Sequence, residues 1–133
     1  MNRYRIAVAT NGNNGLEDVV SNVFGRAKTF TIVDILNEKI NGVTVVENPG
    51  GSYKYGAGPI VAKMLGDKDV DFVLAYVLGF GAAGLLKQRN IKHISIKPNT
   101  KVREALREAI RKLREENIAN EVIRKNLKTN QIT

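Results

Sequence analysis

The sequence predicts an α/β domain built on one mixed five-stranded sheet, and three observations carry that reading. Strand-like and helix-like segments follow in the order β, loop, β-hairpin, α, β, α, β, α. The most apolar run, residues 70–78 (VDFVLAYVL), is far too short to span a membrane and fits a central strand buried on both faces. Beyond Pro98, apolar residues recur at i, i+3 and i+4, the stripe of a helix lying on a sheet. Connections of the β–α–β kind make parallel pairs with right-handed crossovers, so strands three, four and five should run with strand one, and strand two against it.

Residues 5–10 (RIAVAT) form the first strand, short and apolar on both faces. A polar loop rich in Gly and Asn occupies residues 11–15, and residues 16–24 are expected to hold a short helix. Residues 29–36 (TFTIVDIL) and 40–47 are rich in β formers and flank a turn at 37–39, so strands two and three make a hairpin, with Asn41-Gly42 as a bulge or turn signal near the start of strand three. In residues 48–59 (NPGGSYKYGAGP), four Gly and two Pro among twelve residues forbid a regular element, while Pro59 suits the first turn of a helix. Ile60, Val61, Met64 and Leu65 supply the apolar stripe of that helix, and Gly66 is expected to end it.

Residues 79–84 open the next helix, which carries Leu85 and Leu86, and residues 91–96 (IKHISI) alternate as a strand with one wet face. Val102, Ala105, Leu106, Ala109, Ile110 and Leu113 give residues 100–116 one apolar helical face, with Asn99 or Thr100 as its cap. The phase slips near Asn117, after which Ile118, Val122, Ile123 and Leu127 suggest a further helical piece. The expected organisation is one α/β domain over residues 1–116 and a helical C-terminal extension over 117–133.

The chain has 133 residues, enough to bury roughly two-thirds of the surface exposed by its unfolded state without a metal or disulfide staple. It has no Cys and one His, His93, which excludes thiolate chemistry and argues against a His-based triad or multi-His metal site. His93 falls on an alternating strand, where a solvated side chain is the expectation. With 21 Lys and Arg against 13 Asp and Glu, the net charge of +8 points to anionic partners. The first residues lack a signal peptide's apolar core and no window suits a membrane span, so a cytoplasmic protein with no membrane partner is expected.

The topology gathers four segments at one edge of the sheet: residues 11–15, Gly25 with Arg26, residues 50–58 and residues 79–84. They hold most of the twelve glycines. Ligands of open α/β sheets bind at the carboxyl ends of the strands, and bare backbone N–H groups with helix N-termini make an anion site. The candidate binding residues are Asn11, Gly25, Arg26, Tyr55, Gly56, Gly58, Gly79 and Gly81, with Arg26 as the fixed cation. Residues 79–84 formally match G-x-G-x-x-G, but no acidic residue stands at the end of the following strand, where Ile96, Lys97 and Pro98 lie, so dinucleotide binding is not expected. A Walker A loop is also absent, since Gly56 is followed by Ala57 and Gly58.

At these loops the chain resembles the dinitrogenase iron–molybdenum cofactor biosynthesis family, the NifX/NifY-type domain also found at the end of NifB. The resembling pieces are Ile6-Ala7-Val8-Ala9-Thr10, Ser21-Asn22-Val23-Phe24-Gly25-Arg26-Ala27, Phe30-Thr31-Ile32-Val33-Asp34, Val46-Glu47-Asn48-Pro49, Gly56-Ala57-Gly58-Pro59 and Gly79-Phe80-Gly81-Ala82. The resemblance implies a three-layer α/β/α, ribonuclease-H-like fold with sheet order 3-2-1-4-5 and strand two antiparallel. It also implies a protein that carries or handles iron–molybdenum cofactor or its iron–sulfur precursors. Many members place a His before F-G and a His or Cys before G-A-G-P; here those positions are Val23 and Tyr55. The implied cluster would therefore be held by charge and backbone N–H groups, without protein–iron bonds.

A nuclease would need carboxylates around Mg²⁺, one of them on strand one, and that strand has none. Asp34 lies inside strand two, and Asp67, Asp69 and Asp71 flank a turn. With no paired carboxylates or Ser/His/Asp set, no enzymatic activity is expected. The leading expectation is a binding or carrier protein for an anionic metallocofactor or phosphate-type ligand. The alternative is a basic nucleic-acid-binding or protein-interaction module using Lys101, Arg103, Arg107, Arg111, Lys112 and Arg114. Those cations alternate with glutamates, and pairs Arg111–Glu115 and Lys112–Glu116 are expected on a solvated face. A homo-oligomer contact through Ile118, Val122, Ile123 and Leu127 is the further expectation.

Overall fold

The computed structural model describes residues 2–53 and 55–132; in the last helix, the side chains at 118–121 and 123–132 lie outside the described residues. The strands are β1 (Arg3–Thr10), β2 (Thr29–Leu36), β3 (Lys39–Glu47), β4 (Phe72–Ala75) and β5 (Lys92–Ser95). They form one sheet in the order β3-β2-β1-β4-β5. β2 is antiparallel to both β1 and β3, whereas β4 runs parallel to β1 and to β5. Order and orientation are those expected from the sequence.

Alternate residues of β1 feed opposite layers. Ala7 and Ala9 pack with Phe30, Val61, Leu65 and Leu86 under α1 (Ala57–Asp67) and α2 (Ala82–Gln88). Ile6 and Val8 pack with Val33, Leu74, Val102 and Leu106 under α3 (Val102–Ile132). Burying an aliphatic side chain of this size contributes about 1.5–3 kcal/mol, so the sheet is clamped from both sides. The β2–β3 hairpin turns through Asn37 (φ 51°) and Glu38 (φ 67°), the backbone of a tight turn whose twist matches the strands. Its register shifts so that Asp34 faces Gly42 and Ile35 faces Ile40, leaving Asn41 as the bulged residue.

Residues 16–24 do not form the expected helix. A single 3₁₀ turn, Gly15–Glu17, is followed by extended chain that bridges Thr10 to Val20 and Val19 to Lys101. Val20 enters the core beneath α3, while Phe24 enters the opposite core beside Phe30. Residues four apart on a helix share a face; here the chain wraps the sheet edge and sends them to different layers.

β4 is shorter than the run 70–78, because Tyr76, Val77 and Leu78 leave the sheet and form a loop in which Tyr76 and Val77 are exposed. Gly66 lies inside α1, which ends at Asp67, and α2 begins at Ala82. β5 is exposed at three of its four positions and so has less than the buried face expected.

Neither Asn99 nor Thr100 caps α3. The first helical bond runs from Ala105 N–H to the Lys101 carbonyl, and the Val102 N–H is satisfied by the Asp18 carbonyl at 2.8 Å. The Val20 N–H donates to the Thr100 carbonyl and the Asn99 N–H to the Val20 carbonyl, which stitches the start of α3 to the segment after β1. The backbone of α3 continues as helix through Asn117 without a break. Of the expected contact residues beyond it, Val122 is exposed, whereas the side chains of Ile118, Ile123 and Leu127 lie outside the described residues. No helix among the described residues is long and apolar enough to cross a membrane.

Candidate functional site

The carboxyl ends of β1, β3 and β4 and the start of β2 share one edge of the sheet, and the loops there enclose two adjoining depressions. The larger, a groove of about 760 Å³, runs between residues 22–26, Tyr55 to Ala57, and residues 77–80. The second, of about 600 Å³, lies between residues 11–13, Lys28, Glu47 and Ser52. Arg26 and Gly51 line both.

Asn48 sets the spacing of these loops. Its buried amide donates to the carbonyls of Gly25 (2.9 Å) and Ala27 (2.8 Å), and its side-chain oxygen accepts the Gly50 N–H at 2.8 Å. One side chain thus joins the end of β3 to the loop that presents Arg26. Sequence reasoning did not select Asn48 as a site residue; an Asn between a strand and Pro-Gly-Gly was the available signal. Beneath it, Phe24 packs edge-on to Phe30, with ring centroids 5.6 Å apart.

The groove's lining is unusual for a soluble surface. Val23 is 46% exposed and Val77 56%, and Tyr55 and Phe80 project still further into solvent. α1 starts from Gly56 in a left-handed conformation (φ 77°) with no side-chain cap. Its first N–H groups therefore have no capping side chain, at the positive end of the helix dipole. Among the described residues, Arg26 is the groove's one cation, and its lining holds no Asp, Glu, His or Cys.

Five predicted residues, Gly25, Arg26, Tyr55, Gly56 and Gly79, meet in this groove. Asn11 lies in the neighbouring depression, where Arg26 also reaches. Gly58 and Gly81 line neither. Gly58 sits within α1 facing Leu85, and Gly81 is the left-handed cap of α2. Val23, Val77 and Phe80 were not among the selected residues. The signal for Val77 was a strand-like apolar run longer than the sheet can use.

His93 stands apart on β5, exposed, with Nε2–H donating to the Ala75 carbonyl at 2.8 Å. Among the described residues no group of three or more His, Cys, Asp or Glu side chains is placed to hold a metal ion. The donor chemistry of the groove therefore does not fit a metal bonded directly to protein; it fits an anion held by positive charge, amide N–H groups and apolar contact. Three of the four acids considered for nuclease chemistry are engaged elsewhere. Asp34 pairs with Arg5 at 2.6 Å, Asp71 accepts the Arg5 N–H, and Asp67 pairs with Lys63. The hydrogen bond from Lys63 holds the Asp67 carboxyl below its usual range.

Comparison with known proteins places the chain in a family and matches its fold. The family model described as dinitrogenase iron-molybdenum cofactor matches residues 2–112. No curated protein matches at the level of sequence. The apo form of the orange protein from Desulfovibrio gigas is similar at 29% identity and a TM-score of 0.72, over 80% of this chain and 86% of that one. A putative NifB protein from Thermotoga is similar at 31% identity and a TM-score of 0.64, over 77% and 84% of the two chains. A putative dinitrogenase from Methanocaldococcus jannaschii shares the fold, with a TM-score of 0.60 at 16% identity over 84% and 91%.

Proposed function

Because the chain belongs to the dinitrogenase iron–molybdenum cofactor family, we propose that it is a non-catalytic carrier that binds an anionic metallocluster in the groove as cargo. The observation that carries this reading is the groove's composition: exposed Val23, Val77 and Phe80, the bare start of α1, Arg26, and, among the described residues, no Asp, Glu, His or Cys. A large anion with soft, weakly hydrated sulfide faces suits apolar walls, and its charge is met by one guanidinium and by backbone N–H groups. Holding the cluster without bonds to its metals leaves it transferable, which is what a carrier requires.

The nucleic-acid alternative loses its main support. Each of the six α3-region cations from Lys101 to Arg114 named above has a carboxylate within 4.0 Å. The proposal keeps a second copy of the chain as a partner along the far part of α3, where Val122 is 51% exposed.

The test is anaerobic loading of the full chain with an iron–sulfur or iron–molybdenum cluster, followed by gel filtration, metal analysis and absorbance. The wild-type chain is expected to retain metal, and Arg26→Glu to lose about tenfold or more in affinity, as removal of a charge-assisted contact does. Val23→His with Tyr55→His is expected to change the cluster's spectrum by adding direct ligands. Retention by Arg26→Glu equal to wild type would overturn the proposal.

A further inference from the structure

We infer that the polar depression beside the groove is a separate binding subsite for a hard oxyanion of the phosphate class. The inference does not depend on what occupies the groove. The two depressions share Arg26, yet their walls differ in kind. The groove presents aliphatic and aromatic surface. The depression is lined by Asn11, Asn13, Ser52 and Lys28 with Arg26, and among the described residues Glu47 is the one carboxylate on its wall. Directional N–H and O–H donors with two cations recognise compact oxygen anions, and apolar walls do not.

The walls are fixed by buried polar groups, which makes this a built cavity. Asp18 is 5% exposed. Its carboxylate accepts N–H groups from Asn14 (3.1 Å) and Val19 (2.8 Å), and more distantly from Asn11 (3.4 Å), which folds the residue 11–14 loop around it. The Thr29 hydroxyl donates to the Gly12 carbonyl at 2.6 Å, and Thr10 sits 2.6 Å from Thr29 and 3.1 Å from Thr31. Asn48 fixes the opposite side through Gly50. A cavity already ordered in this way spends little conformational entropy on binding.

The charges of the depression are also unspent. Arg26 and Lys28 make no ion pair among the described residues, in contrast to the cations of α3. Two open cations face one carboxylate across a preformed polar cavity, and none of the core or sheet contacts needs either of them there.

The test is a titration of the ¹⁵N-labelled full chain with inorganic phosphate, read by amide chemical shifts, beside sodium chloride at matched ionic strength. Saturable shifts are expected at Asn11, Gly12, Asn13, Lys28 and Ser52. Lys28→Gln is expected to weaken them about tenfold, and Glu47→Gln to strengthen them; the unperturbed remainder of each spectrum reports that the variant is folded. Shifts that chloride reproduces, that do not saturate, that centre on other residues, or that Lys28→Gln leaves unchanged overturn the inference. Lys28 does not line the groove, so cluster retention by Lys28→Gln reads the carrier proposal separately.

Discussion

The Arg114 guanidinium clasps the Glu38 carboxylate, Nη2 to Oε2 at 2.6 Å, and so ties α3 to the β2–β3 turn 76 residues away. A second clasp, Arg103 to Glu17 at 2.9 Å, holds the start of the helix to the 3₁₀ turn. Between them Arg107 pairs with Glu104, Arg111 with Glu115, and Lys112 with Glu108 in place of the expected Glu116. The basic face of α3 is thus an ion-paired surface, and its pairs to Glu17 and Glu38 fasten the helix to the rest of the fold.

The Arg114–Glu38 clasp makes a pH prediction. The hydrogen bond from Arg114, then its charge, holds the Glu38 carboxyl below its ordinary range. A carboxyl with a depressed folded-state pKa contributes stability above its unfolded value and loses it as pH falls through the folded value. Urea midpoints of wild type and Glu38→Gln should therefore differ by a small, salt-sensitive amount near neutrality. That difference should vanish in acid; a gap that persists there would show that the pair does not carry it.

Asn48→Ala should destabilise the fold by about 2–3 kcal/mol, because two carbonyls and one N–H lose their buried partner. Hydrogen exchange should quicken at Gly50 and along residues 25–27. An unchanged denaturation midpoint would show that these loops hold their spacing without the latch.

Two phenylalanines of the site should separate stability from binding. Phe24 is buried against Phe30, so Phe24→Ala should cost about 3–5 kcal/mol by thermal or chemical denaturation. Phe80 is fully exposed, so Phe80→Ser should move stability by no more than about 0.5 kcal/mol while lowering cluster retention. Equal loss of stability in both variants would contradict the described burial.

Val122→Glu should shift sedimentation toward the monomer if the far part of α3 meets a second copy. A monomeric wild-type chain, or a mass unaltered by the substitution, would remove that contact.

Strand identity and order were legible because β1, β2 and β4 are apolar runs rich in β formers, because β3 and β5 alternate between turn residues, and because the crossover rule left few arrangements. Asn41-Gly42 signalled a bulge or a turn, and the register of the hairpin decides for the bulge. The stretch 16–24 was not. Val20 and Phe24 have helical spacing, and only the tertiary path that divides them between two cores reveals extended chain. The end of the run 70–78 misled for a related reason: Tyr76 and Val77 are apolar for a surface, and composition cannot distinguish that from burial. At the site, glycine clustering found the edge and most of the groove, including Arg26. It could not find Asn48, whose three hydrogen bonds join residues far apart in sequence, nor divide the edge into an apolar and a polar chamber.

Gly56 and Gly79 both line the groove, with φ of +77° and +86°, and open space surrounds the place where each side chain would stand. Two points on the rim are therefore specified by handedness. An L-alanine at either position would fit the space and strain the backbone, at about 1 kcal/mol. A D-alanine installed by chemical ligation would adopt the same angles at ease and, by narrowing the unfolded ensemble, stabilise the chain. Opposite responses to the two mirror-image methyl groups, read as a shift of melting temperature in opposite directions, would show that the groove's entrance is held open by stereochemistry.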